Sequence, residues 1–262
     1  TTLERCCKRW GYIKKAQEIE QYMMREFKRV YDGEDRETIL KDNLYCLSLL
    51  RHYGAPVRLL DFTYSKYVAL YFGLECAYND ANDGTFAIWC IHAHNLSTKV
   101  LSFYQVNQQL CKHINERVNI DSRDNTSFDP VYMINKHKLV LAESPREIHK
   151  RQHLQQGVFL CPGDVRTSFM VNLRTPYGSV ENPEIERTFF CKINRTQLEN
   201  AMEDFKRMNI TRESLFPGLD GLAESMKYQA WFYKKLHGLV EEEIQKNNQY
   251  IEQLSKTGSK GR

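Results

Sequence analysis

Apolar residues recur at helical spacing over 12–31, where Ile13, Ala16, Ile19, Met23 and Phe27 share one face among charged neighbours. The same period over 36–52 (Ile39, Leu40, Leu44, Leu47, Leu50) predicts a second amphipathic helix, broken by Gly54, Ala55 and Pro56. The short apolar run 57–62 predicts a strand. Residues 64–78 are apolar nearly all round (Tyr67, Val68, Leu70, Tyr71, Phe72, Leu74), which predicts a buried helix. Turn residues fill 79–84, and 85–91 is apolar on both faces, as a central strand would be. Farther on the pattern predicts a polar loop at 121–131 and an extended segment at 138–142. It then predicts a helix at 144–155, a strand at 157–161 ended by Pro162 and Gly163, and a strand at 187–193. Helices over 196–208, 219–235 and 238–255 close the chain.

No repeat, linker or composition break divides this pattern. The fold class expected is α+β: one mixed domain over 1–255 with a small central β-sheet between N- and C-terminal helices, and a disordered tail over 256–262. At 262 residues the chain can bury a full core without staples. It opens on Thr1, not Met, and reads as a trimmed chain or part of something longer. No apolar run is long enough to span a bilayer and no secretory leader is evident, so no membrane association is expected. Eight cysteines include no CxxC pair, and Cys76, Cys90, Cys161 and Cys191 lie in apolar runs. Free core cysteines of this kind fit a reduced, cytoplasmic setting. The net charge of +4 permits an anionic partner without demanding one.

The densest polar cluster in an apolar setting is RHYGAPVRLLDFTYS, residues 51–65. Alternation along a strand sends Arg58 and Leu60 to one face, and Leu59 and Asp61 to the other. Thr63 or Ser65 can cap the following helix and leave backbone N–H groups for an anion. A plainer reading makes Arg58 and Asp61 a buried ion pair, ties His52 to a carbonyl and leaves Thr63 a cap. A third reading pairs His52 with Asp61 as base and orienter in a hydrolase or nuclease. His149 with His153, and His92 with His94, have spacings open to a metal, but no HExxH pattern is completed and no metal is expected. No phosphate-binding glycine loop and no GxSxG elbow occurs. Cys161 reads as an apolar strand end, and the basic stretch from Lys136 to Lys150 as a solvated face.

The run from Arg51 to Gly73 resembles the core signature of the FRG domain family. His52, Gly54, Pro56, Arg58, Leu59, Leu60, Asp61, Phe62, Thr63, Ala69, Leu70 and Phe72 occupy its positions. The stretches 84–88, 151–159 and 214–222 resemble later elements, so the resemblance extends from about 40 to 225. The aromatic-Arg-Gly tripeptide that names the family does not occur here. In outline the arrangement is also similar to ADP-ribosyltransferases, with Leu59 to Thr63 and the Ala69–Phe72 helix as the middle element and Gln155 or Gln156 as the late one.

That second resemblance implies an enzyme that uses NAD to modify a protein or nucleic-acid acceptor, in the manner of toxin or phage-defence proteins. The catalytic residues it implies are His52, Asp61, Thr63 and Gln156. The residues it implies for the dinucleotide are Tyr53, Arg58, Ser65, Tyr71 and Gln155, with Arg58 on the diphosphate and Tyr53 and Tyr71 as aromatic platform. A glutamine is no general base, so Glu143 and Glu147 are the carboxylates that could stand in, although both read first as a solvated helix face. A nucleotide or nucleic-acid binding module without turnover is the alternative.

Overall fold

The computed structural model describes residues 1–79, 84–119, 125–134, 136–178 and 182–258. Backbone contacts group the chain into two units, Thr1–Asp204 and Phe205–Arg262, where the sequence pattern suggests one domain over 1–255.

The first unit opens with α1 (Thr2–Arg9) and α2 (Ala16–Val30), the amphipathic helix expected there. The second expected helix is split. α3 (Arg36–Lys41) and α4 (Asn43–His52) meet at Asp42, whose carboxylate accepts from the Tyr45 N–H at 2.9 Å and starts the new helix. α4 is buried from Leu44 to Leu50 and runs through the main core. Gly54, at φ +86°, ends this helical stretch in a conformation that a side chain would strain.

Strand β1 is Leu60–Thr63, three residues later in its start than the expected 57–62 run; Arg58 and Leu59 precede it, both fully buried, with the Arg58 N–H given to the Glu20 carboxylate. Their alternation across a strand therefore does not apply. α5 (Lys66–Asn79) follows, with Val68, Tyr71 and Leu74 buried and Lys66, Tyr67 and Cys76 exposed, so it is covered on one side and not all round. Farther along come β3 (Val140–Glu143), α9 (Lys150–Leu154) and β4 (Gly157–Pro162). β4 lies between β1 and β3, antiparallel to both. Asp61 sits opposite Phe159, and Thr63 opposite Gly157.

β2 (Thr85–Ile91) is not a central strand. It pairs with β5 (Glu186–Lys192) in a separate two-stranded ribbon, and Trp89, Cys90 and Phe190 are exposed. α5 packs so closely on β2 that a Cβ at Gly73 would stand 2.5 Å from the Phe86 ring. Among the described residues the other face of the ribbon has no such cover, which is why apolar residues on both sides did not bring full burial. The fold is thus mixed α/β, with two small antiparallel sheets and flanking helices.

α6 (Ala93–Phe103) and α7 (Gln108–Val118) pack on the first sheet's side of the core. Part of the expected 121–131 loop, residues 121–124, lies outside the described residues. The rest is α8 (Asn125–Phe128) followed by a wide π-helical turn, Asp129–Ile134, that buries Phe128, Val131 and Tyr132. Of the expected 144–155 helix only α9 forms. α10 (Phe169–Arg174) completes the elements of this unit before α11 (Arg195–Arg207), which crosses the division between the units.

In the second unit, Thr211 and Ser214 cap α12 (Arg212–Leu215) reciprocally. One continuous helix, α13 (Leu219–Gly258), replaces the two expected over 219–255 and takes in the start of the expected tail; residues 259–262 lie outside the described residues. Gly221 is needed at its start, since a Cβ there would meet the Phe216 carbonyl oxygen at 1.8 Å.

Among the described residues no helix is long and apolar enough to cross a membrane. The eight cysteines are free. Cys7, Cys46 and Cys161 are buried, whereas Cys76 and Cys90 are exposed despite their apolar neighbours.

Candidate functional site

The antiparallel register of β1 and β4 brings the polar cluster of 51–65 together with residues 149–157. Thr63 fastens the junction, its hydroxyl donating to the Gln155 carbonyl at 2.7 Å and accepting from the Ser65 N–H at 3.0 Å. The Tyr64 N–H donates to the Gln156 carbonyl at 3.0 Å. Gln156 itself turns at φ +48°, exposed, and so reverses the chain from α9 into β4. Ser65 accepts from the Val68 N–H and starts α5.

Beside this junction lies a cleft of about 250 Å³. From α4 it receives Ser48, Arg51 and His52, from β1 Asp61 and Phe62, and from the α9–β4 segment His149, Arg151, Gln152, Gln155 and Phe159. Four basic side chains therefore face one cavity. Asp61 is the single carboxylate among the described residues that line it, and it is engaged. Arg51 donates to it through Nε at 2.7 Å and through Nη2 as well.

The two histidine rings stand 5.7 Å apart. His149 also stacks at 4.9 Å on Tyr45 and lies 3.4 Å from the Ser48 hydroxyl. Burial pushes the His52 imidazolium below its ordinary range, and the Arg151 charge and His149 push the same way. Burial also lowers His149, against the pull of Asp35. Asp35 accepts from the Tyr31 and Tyr45 hydroxyls. The hydrogen bond to Asp35 and burial push the Tyr31 phenol up to about 12. Both histidines are thus held toward neutrality while the arginines keep the cleft cationic.

Gln152 is 8% exposed, gives its amide N–H to the Gly157 carbonyl at 3.4 Å, and among the described residues has no hydrogen-bond partner on Oε1. A buried acceptor without a donor is costly unless something supplies one.

Of the residues read from the sequence, the cleft collects His52, Asp61 and Gln155. Thr63 and Ser65 hold the backbone beside it. Tyr53 is exposed at the end of α4, touching His52 edge-on at 4.9 Å, and Gln156 lies in the turn outside. Tyr71 is buried, with its hydroxyl 3.2 Å from Glu75. His52 and Asp61 share the cavity, but the hydrogen bonds of Asp61 go to Arg51.

Arg58 is elsewhere. It is fully buried, and its partner is Glu20, not Asp61. Its Nε donates to Glu20 Oε2 at 2.6 Å, its backbone N–H to Oε1 at 2.7 Å, and its Nη1 to the Tyr132 carbonyl at 2.7 Å. Burial alone would lower its pKa, but the Glu20 carboxylate reverses that and holds the charge. Glu143 is likewise no solvated helix residue. It is buried on β3, bonded to Arg117 at 2.6 Å and to the Tyr132 hydroxyl at 2.8 Å. Glu147 is exposed in a bend. His153 is exposed on α9 apart from the cleft, and His92 caps α6 through Nδ1, accepting from the Asn95 N–H at 3.3 Å.

Arg51, His149, Arg151 and Gln152 were not singled out as site residues by the sequence reading. The one signal was that Arg51 and Arg151 open the two stretches that resemble family elements. No curated protein and no solved structure matches the chain. The family model described as FRG domain matches residues 1–83, a span that holds α4, β1 and the Arg51, His52 and Asp61 wall of the cleft. Over that N-terminal segment the chain is similar to the FRG domain family.

Proposed function

We propose that the cleft between α4, β1 and the α9–β4 turn binds a phosphate-bearing nucleotide of the NAD class, and that the chain is an ADP-ribosyltransferase-like enzyme. One observation carries the binding part: Arg51, His52, His149 and Arg151 converge on one cavity with Gln152 and Gln155. Guanidinium groups suit a diphosphate, which they can meet with paired N–H donors. The unpartnered Gln152 Oε1 is an acceptor that a ribose hydroxyl or an amide N–H would satisfy.

The fit to the dinucleotide is partial. The basic and amide groups match its diphosphate and ribose. Arg58 does not, being spent on Glu20 in the core, and Tyr71 is buried apart from the cleft. Phe62 and Phe159 are the aromatic side chains that line it. In this reading Arg51 and Arg151 hold the phosphates, Gln155 and Gln152 orient the ribose, and His52 and His149 exchange protons with solvent or ligand. Bound there, NAD would supply a glycosidic bond whose cleavage releases nicotinamide and leaves an ADP-ribosyl group for a protein or nucleic-acid acceptor.

A second reading, binding without turnover, is favoured by the state of Asp61. The carboxylate of the cleft is tied to Arg51 and accepts two of its N–H groups. The same pairing weakens a His52–Asp61 hydrolase, which needs that carboxylate on the imidazole.

The test is a thermal-shift titration with NAD, ADP-ribose and nicotinamide, followed by an assay for released nicotinamide. NAD and ADP-ribose are expected to raise the melting temperature. Arg151→Ala should weaken them roughly tenfold to a hundredfold, the loss of one charge-assisted contact of about 1.5–3 kcal/mol. No shift with millimolar NAD or ADP-ribose overturns the proposal. A shift without nicotinamide release selects the binding module.

A further inference from the structure

A groove of about 770 Å³ lies between α2, the α3–α4 junction and the π-helical turn Asp129–Ile134, and it shares no lining residue with the cleft. α2 gives it Gln21, Met24, Arg25, Lys28 and Arg29, whose spacing marks one face of the helix over about 12 Å. Met24 and Met133 line it from the buried side, while Leu40 and Ile134 stand 49% and 69% exposed. The walls are tied to each other, because the Gln17 and Gln21 amides of α2 both donate to the Met133 carbonyl of the turn.

Its charge is one-sided. Arg25, Lys28 and Arg36 line it, and among the described residues none of the three is paired with a carboxylate. Lys28 donates to Asn43 Oδ1 at 2.7 Å and to the Leu40 carbonyl at 3.3 Å. Arg36 donates to the Lys28 carbonyl at 3.3 Å and to the Tyr31 carbonyl. Arg25 lies 5.8 Å from the Tyr22 ring. Neutral acceptors hold a cation in place and leave its charge unspent, which lowers the ordering cost of meeting an anion. Arg29 is the exception, paired with Glu26 on its own helix. The turn contributes a single carboxylate to the groove, Asp129, which accepts from Asn43 Nδ2 at 2.7 Å.

We propose that this groove docks an amphipathic helix of a partner protein, with a stripe of leucine or methionine side chains flanked on one side by glutamates or aspartates. The apolar lining takes the stripe, and methionines adapt their shape to it. The unspent cations of α2 and α3 take the acidic flank. The lining elements are helices and a turn, so no strand edge offers main-chain pairing. A nucleic acid fits less well. Asp129 repels a phosphodiester backbone, and among the described residues no aromatic side chain lines the groove to stack a base.

Fluorescence anisotropy on the full chain tests this. The probe is a labelled synthetic peptide of about four helical turns, with leucines at intervals of three and four, glutamates along one flank and alanines elsewhere. Binding in the micromolar range is expected. Arg25→Glu with Lys28→Gln should weaken it at least about tenfold, and Leu40→Ser with Ile134→Ser about fivefold or more, with far-UV circular dichroism unchanged. Should either double variant lose helix content, Arg25→Gln and Leu40→Ser alone serve, and each should still weaken the peptide. A scrambled peptide of the same composition should bind much more weakly. No binding up to the high micromolar range, equal binding of the scrambled peptide, indifference to the substitutions, or displacement by an oligothymidylate of similar charge overturns the proposal.

Discussion

Arg51 and Arg58 stand seven residues apart in one motif, each bonded to a carboxylate, and they do opposite work. Arg58 and Glu20 are both fully buried, and the guanidinium also reaches the Tyr132 carbonyl, so the pair ties α2, the approach to β1 and the π-helical turn into one core. Arg51 and Asp61 are partly open to solvent at the wall of the cleft, 24% and 54% exposed. The arginine that looks most like a ligand-binding residue by its place in the motif is a structural one. Burial makes the difference. A charge taken wholly out of water must keep its partner permanently, whereas one at a cavity wall can trade it for a ligand.

The largest expected effect breaks the structural side of that comparison. Arg58→Ala leaves Glu20 buried and unpaired and should cost about 3–5 kcal/mol, measured by urea denaturation. The double variant Glu20→Leu with Arg58→Met should recover most of that loss, because it removes both charges; if it does not, the pair has a role beyond mutual neutralisation. Arg151→Ala, on the cleft side, should keep its fold within roughly 0.5 kcal/mol while losing nucleotide affinity as described above.

A smaller effect follows from the histidines. Burial lowers His52 and His149 below their ordinary 6.5, so between their folded and unfolded values the unfolded chain binds more protons. Stability should therefore fall as pH drops from 7 to 5, read as a falling melting temperature. His149→Asn should flatten that slope, and a bound anion should oppose it. The smallest change is expected for Asp61→Asn. A half-exposed ion pair contributes about 1 kcal/mol or less, so stability should hardly move. Releasing Arg51 should strengthen anion binding instead, and weaker binding would show that Asp61 positions Arg51 for the ligand.

Much of the fold was legible because local periodicity reports burial. α2, α5 and α11 and the strands β3, β4 and β5 fall where their apolar spacing places them, within a few residues, and α3 with α4 together fill the expected 36–52 helix. The misses share a cause. Residues 129–131 look like the end of a polar loop because Asp129 and Pro130 stand there, yet they open the π-helical turn Asp129–Ile134, which buries Val131 and Tyr132. The 85–91 run looks central, yet its ribbon has two strands and one covered face. Periodicity cannot say how many strands or helices will come to cover an element.

The candidate site divides in the same way. Sequence alone carried the resemblance over 51–73, the turn at Gly54 and a helix cap at Thr63 or Ser65. Each depends on a residue's own backbone preference or on neighbours within a few positions. Tertiary structure alone decided that Arg58 meets Glu20, 38 residues away, that Arg51 takes Asp61, and that His149 and Arg151 join His52 across the β1–β4 register. Ion pairing and pKa depend on distance and desolvation, and those exist only once distant segments have packed.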